Sequence, residues 1–344
     1  MNRKKLFNPN ATENIKMING DTTNLLDLSF VPKDYEIFHK LVDTGYSNNW
    51  LPQKTDMSSD KYDYNNKLTP DEKSGFNDIT SFLIFLDSIQ TNNLPNLANF
   101  ITSPHVVYFL ARQTYEEANH SKSYGWILSS IMSRDEAHDL VYRWKENKTL
   151  LERNEFIAGI YQEFINNSTP ETFLYSIVAN YLLEGVYFYN GFQFFHNLAS
   201  RGLITGTDTQ ISYIQRDELT HCLAFEHIIH LTLKENPELL EFSDNVYQMF
   251  TKAVEWEIRF SQEVIGDKIL GMSSKSIEDY TYHLANKRLK AIGMNEIFPK
   301  NKNPYVHLEK QAGSDDETSN RTNNFEATSI TYKSPEVISG WDEI

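Results

Sequence analysis

The sequence predicts an all-α protein, a bundle of long helices with additional helices around a four-helix core. Glycine and proline are sparse, at 14 and 11 of 344 residues, and apolar side chains recur at helical intervals instead of alternating. The hydrophobic share of 40% is enough to fill a large core. Several predicted helices exceed about 25 residues, a length more typical of bundles than of other globular folds.

Three of the long helices are predicted to begin where a hydroxyl residue precedes a proline. Thr69-Pro70, Ser103-Pro104 and Thr169-Pro170 each combine an N-cap side chain with a proline whose missing N–H costs no helical hydrogen bond. In chain order, the predicted helices span residues 70–92, 104–132, 134–146, 149–167, 170–200, 207–235, 237–266 and 275–292.

The two ends of the chain differ in composition from the middle. Residues 1–20 are polar and rich in asparagine, which predicts a flexible segment ahead of a helical domain over residues 21–296. Residues 297–344 are predicted to be a largely disordered tail, because the stretch after Gln311 is too polar to bury apolar surface. Apolar side chains return in residues 337–344, so the tail has the composition of a docking peptide. A frayed end is the alternative.

The charge balance excludes several classes of partner. The chain has 32 basic and 47 acidic residues, a net charge of −15. A surface this acidic repels phosphate backbones and anionic lipids, so we expect neither nucleic-acid nor membrane binding. The single cysteine, Cys222, can form neither an internal disulfide nor a cysteine-rich zinc site. With no signal peptide and no membrane-spanning apolar stretch, the expected location is the cytoplasm.

Two Glu-x-x-His pairs carry the strongest chemical signal. They are Glu117-Ala-Asn-His120 and Glu218-Leu-Thr-His221. Residues three apart on a helix project from one face and can hold a single metal ion. One such pair means little by itself, and Glu36-Ile-Phe-His39 is interpreted as a chance match among ten histidines.

An acid embedded in an apolar helix precedes each of the two pairs. Asp87 comes before Glu117, and Glu184 comes before Glu218. A carboxylate in such surroundings is unfavourable unless it is paired or bound to metal. Two antiparallel hairpins of this kind would point four carboxylates and two histidines into one core, a ligand set typical of dinuclear iron or manganese. Unrelated core acids satisfied by hydrogen bonds are the alternative.

Tyr124 is predicted to share the helix face of the first pair, one turn beyond His120. A buried tyrosine beside an oxygen-activating metal pair can give up an electron and a proton, although a tyrosine there can equally fill space. Phe188, Phe192 and Ile214 are predicted to form an apolar wall on the bundle face. Such a wall would protect a radical, and ordinary core residues would look the same.

These residues resemble the small, radical-generating subunit of class I ribonucleotide reductase over roughly residues 25–344. The strings that carry the resemblance are residues 86–90, 117–124, 184–192 and 216–221. The resemblance implies a ferritin-like helical bundle with a stable radical on Tyr124. It also implies six ligands for a dinuclear metal centre: Asp87, Glu117, His120, Glu184, Glu218 and His221.

The resemblance further implies a path for the radical and a partner that receives it. Trp50 matches the tryptophan at which radical transfer begins, and Asp217 matches the aspartate that links it to a metal-bound histidine, here His120. In the tail, Glu326 and Tyr332 resemble the acid and the tyrosine that carry the radical across the subunit interface. The implied partner is the large catalytic subunit, bound through the tail, and the implied assembly of this chain is a homodimer.

The implied activity is reduction of ribonucleoside diphosphates to deoxyribonucleotides, with oxygen activated at the metal centre of this chain. One family branch with a mixed manganese/iron centre has phenylalanine and glutamate where this chain has Tyr124 and Asp87. The resemblance therefore favours a di-iron centre, with dimanganese and mixed manganese/iron as alternatives.

Two other functions fit part of the pattern. A di-metal oxidase, desaturase or monooxygenase would explain the ligands, but not Trp50, Asp217, Tyr124 and Tyr332 together. A ferritin-like metal store needs neither Tyr124 nor the tail, and the chain is about twice the length of a simple four-helix unit. A purely structural scaffold is the last alternative, and acids buried at these positions argue against it.

Overall fold

The computed structural model describes residues 1–312, in which a segment without helices over residues 1–32 precedes helices joined by short connections. Within them, the one β-type pairing is an isolated bridge between Asn14 and Asp21. The α-helices are α1 (Glu36–Ser47), α2 (Asp60–Asn66), α3 (Pro70–Ala98), α4 (Pro104–Ile131), α5 (Arg134–Tyr142), α6 (Lys148–Asn166), α7 (Pro170–Leu182), α8 (Tyr189–Ser200), α9 (Thr205–Glu235), α10 (Ser243–Val264), α11 (Ser274–Ala291) and α12 (Val306–Ala312). The predicted all-α class is confirmed.

Four elements make the core of the bundle: α3, α4, the continuous segment from α7 to α8, and α9. Helix α3 packs against α4, and α9 packs against α4, α7 and α8. Helices α6, α10 and α11 cover the outer side of the segment from α7 to α8. This arrangement encloses the inward faces of four helices completely, so any polar group there is removed from water.

Two of the three predicted N-caps form as expected. The Thr69 hydroxyl accepts from the Glu72 N–H at 3.2 Å, and the Glu72 carboxylate accepts from the Thr69 N–H at 2.8 Å. Thr169 caps α7 in the same reciprocal way with Thr172. Ser103 makes no capping hydrogen bond, so proline at the first position is the feature that marks the start of α4.

Helix α3 continues to Ala98, beyond the end predicted at residue 92. Pro95 lies inside this extension and cannot donate a helical hydrogen bond. Leu94 and Leu97 on the same turn are fully buried. Their burial offsets the missing hydrogen bond, and the helix runs on through the proline.

The helix predicted over residues 170–200 is divided by a π-helical turn, Leu183–Tyr187. A π turn holds an extra residue and shifts the side chains that follow it relative to an α-helix. Every residue from 176 to 198 is buried, so apolar spacing carries no information on the local helix type. Likewise, the helix predicted from residue 237 begins as the 3₁₀ turn Pro237–Phe242, and α10 starts at Ser243.

Both predicted end segments contain ordered contacts within the described residues. Met17 and Ile18 are fully buried, and the Met17 N–H donates to Glu235 at 2.7 Å, so the end of the segment expected to be flexible packs on the helices. Residues 306–312 form α12 inside the tail expected to be disordered, with Leu308 buried. The domain boundaries stay predictions. Residues 313–344, which include Glu326 and Tyr332, lie outside the described residues.

No helix among residues 1–312 combines the length and the apolar character needed to cross a membrane.

Candidate metal centre

The core elements bring six fully buried side chains to one place in the bundle. Helix α3 contributes one carboxylate, α4 and α9 each contribute a Glu-x-x-His pair, and the π-helical turn contributes the remaining carboxylate. These side chains are Asp87, Glu117, His120, Glu184, Glu218 and His221, each 0% exposed. They are the six residues that the sequence predicts as ligands.

The ligand atoms form two groups that have two carboxylates in common. The groups are Asp87, Glu117, His120 and Glu218, and Glu117, Glu184, Glu218 and His221, with the atoms of each group within 4.8 Å of one another. Glu117 and Glu218 belong to both groups, so they would help to hold both ions of a dinuclear centre. Oxygen and imidazole ligands without thiolate suit iron or manganese.

Several polar atoms of the cluster face one another without making hydrogen bonds. His120 Nδ1 lies 3.1 Å from Glu218 Oε1, yet neither atom has a hydrogen-bond partner in the described part of the chain. Both carboxylate oxygens of Asp87 and one oxygen each of Glu117 and Glu184 are also unpartnered there. Buried carboxylate oxygens are rarely left unpaired. A cation satisfies these atoms together, so the residues fit a dinuclear metal site.

The electrostatics of the cluster indicate the same. Burial and repulsion between carboxylates raise the pKa values of Asp87 and Glu184 well above their usual range. Burial alone would lower the pKa values of His120 and His221, but the Glu218 carboxylate and its neighbours raise both well above the usual range. Protons therefore compensate the carboxylates in the metal-free protein. Two divalent ions would balance four carboxylates and displace those protons.

Each candidate histidine is oriented by an acid on the opposite helix. His120 on α4 has Nε2 3.3 Å from Asp217 Oδ2 on α9, and His221 on α9 has Nε2 3.0 Å from Glu116 Oε2 on α4. Each acid directly precedes the glutamate of a Glu-x-x-His pair, so both helices carry the pattern acid-Glu-x-x-His. The sequence prediction included Asp217 and missed Glu116, although this repeated pattern is the signal that could have identified it.

Asp217 joins His120 to Trp50. The Trp50 indole Nε1 donates to Asp217 Oδ2 at 2.8 Å, and the indole is stacked on the imidazole with centroids 6.3 Å apart. Burial would raise the pKa of Asp217, but the hydrogen bond from His120 and the charge of Arg216 lower it below the usual value. Asp217 is therefore ionised at neutral pH, and it can accept from both rings.

Glu116 links His221 to an arginine instead of to an aromatic ring. The Arg112 Nε donates to Glu116 Oε1 at 2.8 Å, and its Nη2 donates to the Gly45 carbonyl on α1 at 2.7 Å. A Cβ at Gly45 would lie 2.8 Å from both Arg112 Nε and Glu116 Oε1. Glycine at this position therefore allows α1 to approach α4 closely enough for the contact.

Two buried amides bind Glu184, and neither was predicted as a site residue. Gln90 Nε2 donates to Glu184 Oε1 at 2.5 Å. Gln113 Nε2 donates to the same oxygen at 3.0 Å and to Glu117 Oε1 at 3.1 Å. The Tyr161 hydroxyl on α6 donates to Gln90 Oε1 at 2.9 Å. The sequence signal available for the amides is their spacing, since Gln90 lies three residues after Asp87 and Gln113 four residues before Glu117, on the same helix faces.

Comparison with known proteins identifies the family. The family model of the ribonucleotide reductase small chain matches residues 28–304. This chain belongs to that family. Its similarity to a ribonucleoside-diphosphate reductase subunit beta of Treponema pallidum is 39% identity, over 87% of this chain and 86% of the relative. The corresponding protein of Halalkalibacterium halodurans is 33% identical over 100% of this chain and 99% of its own.

The fold comparison agrees with the sequence comparison. The ribonucleotide reductase R2 subunit from Clostridium botulinum superposes with a TM-score of 0.88 at 38% identity, covering 91% of this chain and 99% of that one. The resemblance stated from the motifs and the predicted ferritin-like bundle are confirmed. The chain is the small subunit of an oxidoreductase, in a family whose small subunit works with a large one.

Tyr124 lies inside the bundle and is 1% exposed, and its hydroxyl makes no hydrogen bond to any described residue. Burial, followed by the charge of the Asp87 carboxylate, raises the pKa of Tyr124 well above the usual value. The phenol is therefore protonated. Phe188, Phe192 and Ile214 are fully buried, and the first two rings are stacked with centroids 5.8 Å apart. Their role as an apolar wall stays a prediction.

The third Glu-x-x-His string takes no part in this cluster. His39 lies on α1, and its Nε2 is 2.9 Å from His105 Nδ1. Neither histidine belongs to an acid and histidine group of metal-binding geometry within residues 1–312.

Proposed function

We propose that this chain holds a dinuclear metal centre, generates a radical on Tyr124 and passes it to a large subunit that reduces ribonucleoside diphosphates. The observation that carries the proposal is the pair of acid and histidine groups that share Glu117 and Glu218, with the buried Tyr124 near enough for their carboxylates to raise its pKa.

The metal would be held by the six buried side chains of the two groups. When bound, a metal pair of this kind supplies oxygen activation and one-electron oxidation. We propose di-iron, because Tyr124 and Asp87 stand where the mixed manganese/iron branch has phenylalanine and glutamate. Dimanganese and mixed manganese/iron are the alternatives.

Tyr124 would store the oxidising equivalent. Because its raised pKa keeps the phenol protonated, loss of an electron must be accompanied by loss of the hydroxyl proton. The Asp87 carboxylate, the neighbour with the largest electrostatic effect on the phenol, is the group placed to accept that proton. The buried rings of Phe188 and Phe192 would exclude water and reductants from the radical.

Trp50 would be the first residue of the path that carries the radical from the metal centre toward the large subunit. Its indole N–H can release a proton to Asp217 when the ring is oxidised, and Asp217 in turn faces His120. Beyond Trp50 the proposed path continues to Tyr332, which lies outside the described residues.

We propose that the tail binds the large subunit through Trp341 and Ile344, and that the chain forms a homodimer. A few apolar anchors on a long segment suit binding of moderate affinity.

Tyr124→Phe tests the radical assignment. The purified full-length chain is loaded with ferrous iron, exposed to oxygen and followed by electron paramagnetic resonance, metal analysis and turnover with the large subunit. We expect two metal ions per chain in both proteins, and a narrow organic radical with reductase activity in the parent alone.

Tyr187→Phe is the matched control, since Tyr187 is also fully buried with an unpartnered hydroxyl in the described structure. It should retain the metals, the radical and the activity. Full activity in Tyr124→Phe would contradict the radical assignment and would favour an oxidising equivalent kept on a manganese/iron centre. Metal binding with no radical in the parent would favour a di-metal oxidase.

A further inference from the structure

The two oxygens of Glu184 have different surroundings. Oε1 accepts hydrogen bonds from both Gln90 and Gln113. Oε2 makes no hydrogen bond to any described residue, and it lies 3.7 Å from Nδ1 of His221, a member of the second acid and histidine group. Oε1 is therefore occupied by hydrogen bonds within the protein, whereas Oε2 is available to bind a cation.

Tyr161 determines which end of the Gln90 amide faces Glu184. The ionised carboxylate that would bind metal can only accept, so Gln90 must present its NH₂ group to Glu184. The amide oxygen of Gln90 then requires a donor, and the Tyr161 hydroxyl provides it at 2.9 Å. Gln90 is fully buried and Tyr161 is 2% exposed, so water does not substitute for either partner.

The backbone that carries Glu184 is fixed by two buried arginines. Arg288 Nε donates to the carbonyl of Gly185 at 3.2 Å, and Arg153 Nη2 donates to the carbonyl of Tyr187 at 2.8 Å. Both carbonyls belong to the π-helical turn, in which the regular helical hydrogen bonds are displaced. Since the backbone is held, Glu184 can change its orientation only by side-chain rotation, and this rotation would break its bonds to the amides.

We propose that Gln90, held by Tyr161, is a positioning residue that makes Glu184 bind metal through Oε2 alone. The inference rests on the proposed function in one respect, namely that the cluster binds two metal ions. An ion bound by fewer protein atoms keeps a coordination position open for a reactant. Gln90 would thereby leave open a coordination position on the ion held by the His221 group. Glu184 would occupy that position if it bound the ion through both oxygens.

Manganese binding to the full-length metal-free chain tests the proposal. Gln90→Met keeps the length of the side chain and removes the donor, and Tyr161→Phe removes one hydroxyl. We expect one of the two Mn²⁺ equivalents to bind about tenfold more weakly in Gln90→Met, because loss of a partner that orients a ligand weakens metal binding. Tyr161→Phe should show a smaller loss at the same equivalent. Electron paramagnetic resonance of free Mn²⁺ gives both affinities.

The matched control is Tyr280→Phe, which also removes a buried hydroxyl that donates a hydrogen bond, here to Glu309 on α12 at 2.7 Å. It should leave both Mn²⁺ affinities unchanged. Crystals of the Mn²⁺-loaded parent should show Glu184 bound through Oε2, and those of Gln90→Met should show a rotated or two-oxygen carboxylate.

Unchanged Mn²⁺ affinities in both Gln90→Met and Tyr161→Phe, or a loaded parent with Glu184 bound through Oε1, would overturn the inference. If Gln90→Met does not fold, Tyr161→Phe alone decides by the same titration. Failure of the proposed function gives a different result, because the parent itself would then bind no Mn²⁺ pair.

Discussion

The two acid and histidine groups each combine three carboxylates with one histidine, but their surroundings differ. We call them the His120 half and the His221 half. In the His120 half, the imidazole contacts Asp217, which binds the oxidisable ring of Trp50. In the His221 half, the imidazole contacts Glu116, which binds the guanidinium of Arg112. A tryptophan can lose an electron at accessible potentials and a guanidinium cannot. We therefore propose that the His120 half serves electron transfer and that the His221 half holds its side chains in place.

The repeated pattern acid-Glu-x-x-His explains why the ligands match while their partners differ. Helices α4 and α9 both place a glutamate and a histidine on the inward face, and both use the preceding acid to reach the histidine of the other helix. The second partner of each acid depends on the structural elements that surround it. Asp217 meets Trp50, which follows α1, whereas Glu116 meets Arg112 one helical turn away on α4 itself.

The largest effect is expected for a substitution at a residue that belongs to both halves. Glu218→Ala should lose both metal ions and all oxygen-dependent oxidation, because Glu218 belongs to both groups of ligand atoms. His221→Ala, which belongs to one group, should lose one metal ion. Metal analysis after iron loading measures both. Two tightly bound ions in Glu218→Ala would contradict the assignment of the cluster as the metal site.

The six converging side chains could be predicted from the sequence because their spacing is local. A Glu-x-x-His pair faces one side of a helix whatever the tertiary structure is, and an acid in an apolar helix is conspicuous. Trp50 could be identified only through the family resemblance, since its bond to Asp217 spans 167 positions. No spacing rule indicates such a contact.

The remaining features depend on tertiary contacts that the sequence does not encode locally. The bond between Tyr161 and Gln90 joins α6 to α3 across 71 positions. The π-helical turn at Glu184 lies in a stretch where every side chain is buried, so its apolar pattern is the same for either helix type. The role of Arg112 depends on Gly45, a residue that matters because it lacks a side chain.

The second prediction compares the two orienting acids directly. Asp217→Asn and Glu116→Gln both keep the shape of the side chain and remove its charge. Glu116→Gln should weaken metal binding by about 10- to 100-fold, because it removes the carboxylate that orients His221. Once loaded with excess metal, it should support normal turnover per radical. Metal titration and turnover per radical are the two measurements.

Asp217→Asn should differ in the second measurement. The amide can no longer take a proton from Trp50, so the Tyr124 radical should form while turnover with the large subunit is lost. If both variants lost turnover per radical equally, the two halves would not be specialised. If neither did, Trp50 and Asp217 would have no part in radical transfer.

The smallest expected effect concerns the contact that supports Glu116. Gly45→Ala would place a Cβ 2.8 Å from Arg112 Nε and from Glu116 Oε1, and the displaced side chains or helix should cost about 1–3 kcal/mol of unfolding free energy. Gly125→Ala is the matched control, since Gly125 is an exposed glycine inside α4 with nothing within 4 Å of an added Cβ. It should stabilise the fold by about 0.5–1 kcal/mol, because alanine favours the helix.

Thermal and denaturant unfolding of the metal-free chains measures this difference. A metal titration of Gly45→Ala then relates it to the comparison of the two halves. Because Arg112 holds Glu116 and Glu116 orients His221, the shift should weaken one Mn²⁺ equivalent by a smaller factor than Glu116→Gln does, and the other equivalent should be unaffected. Equal weakening of both equivalents would mean that the displaced contact acts on the whole cluster, and the two halves would then be coupled through the bundle.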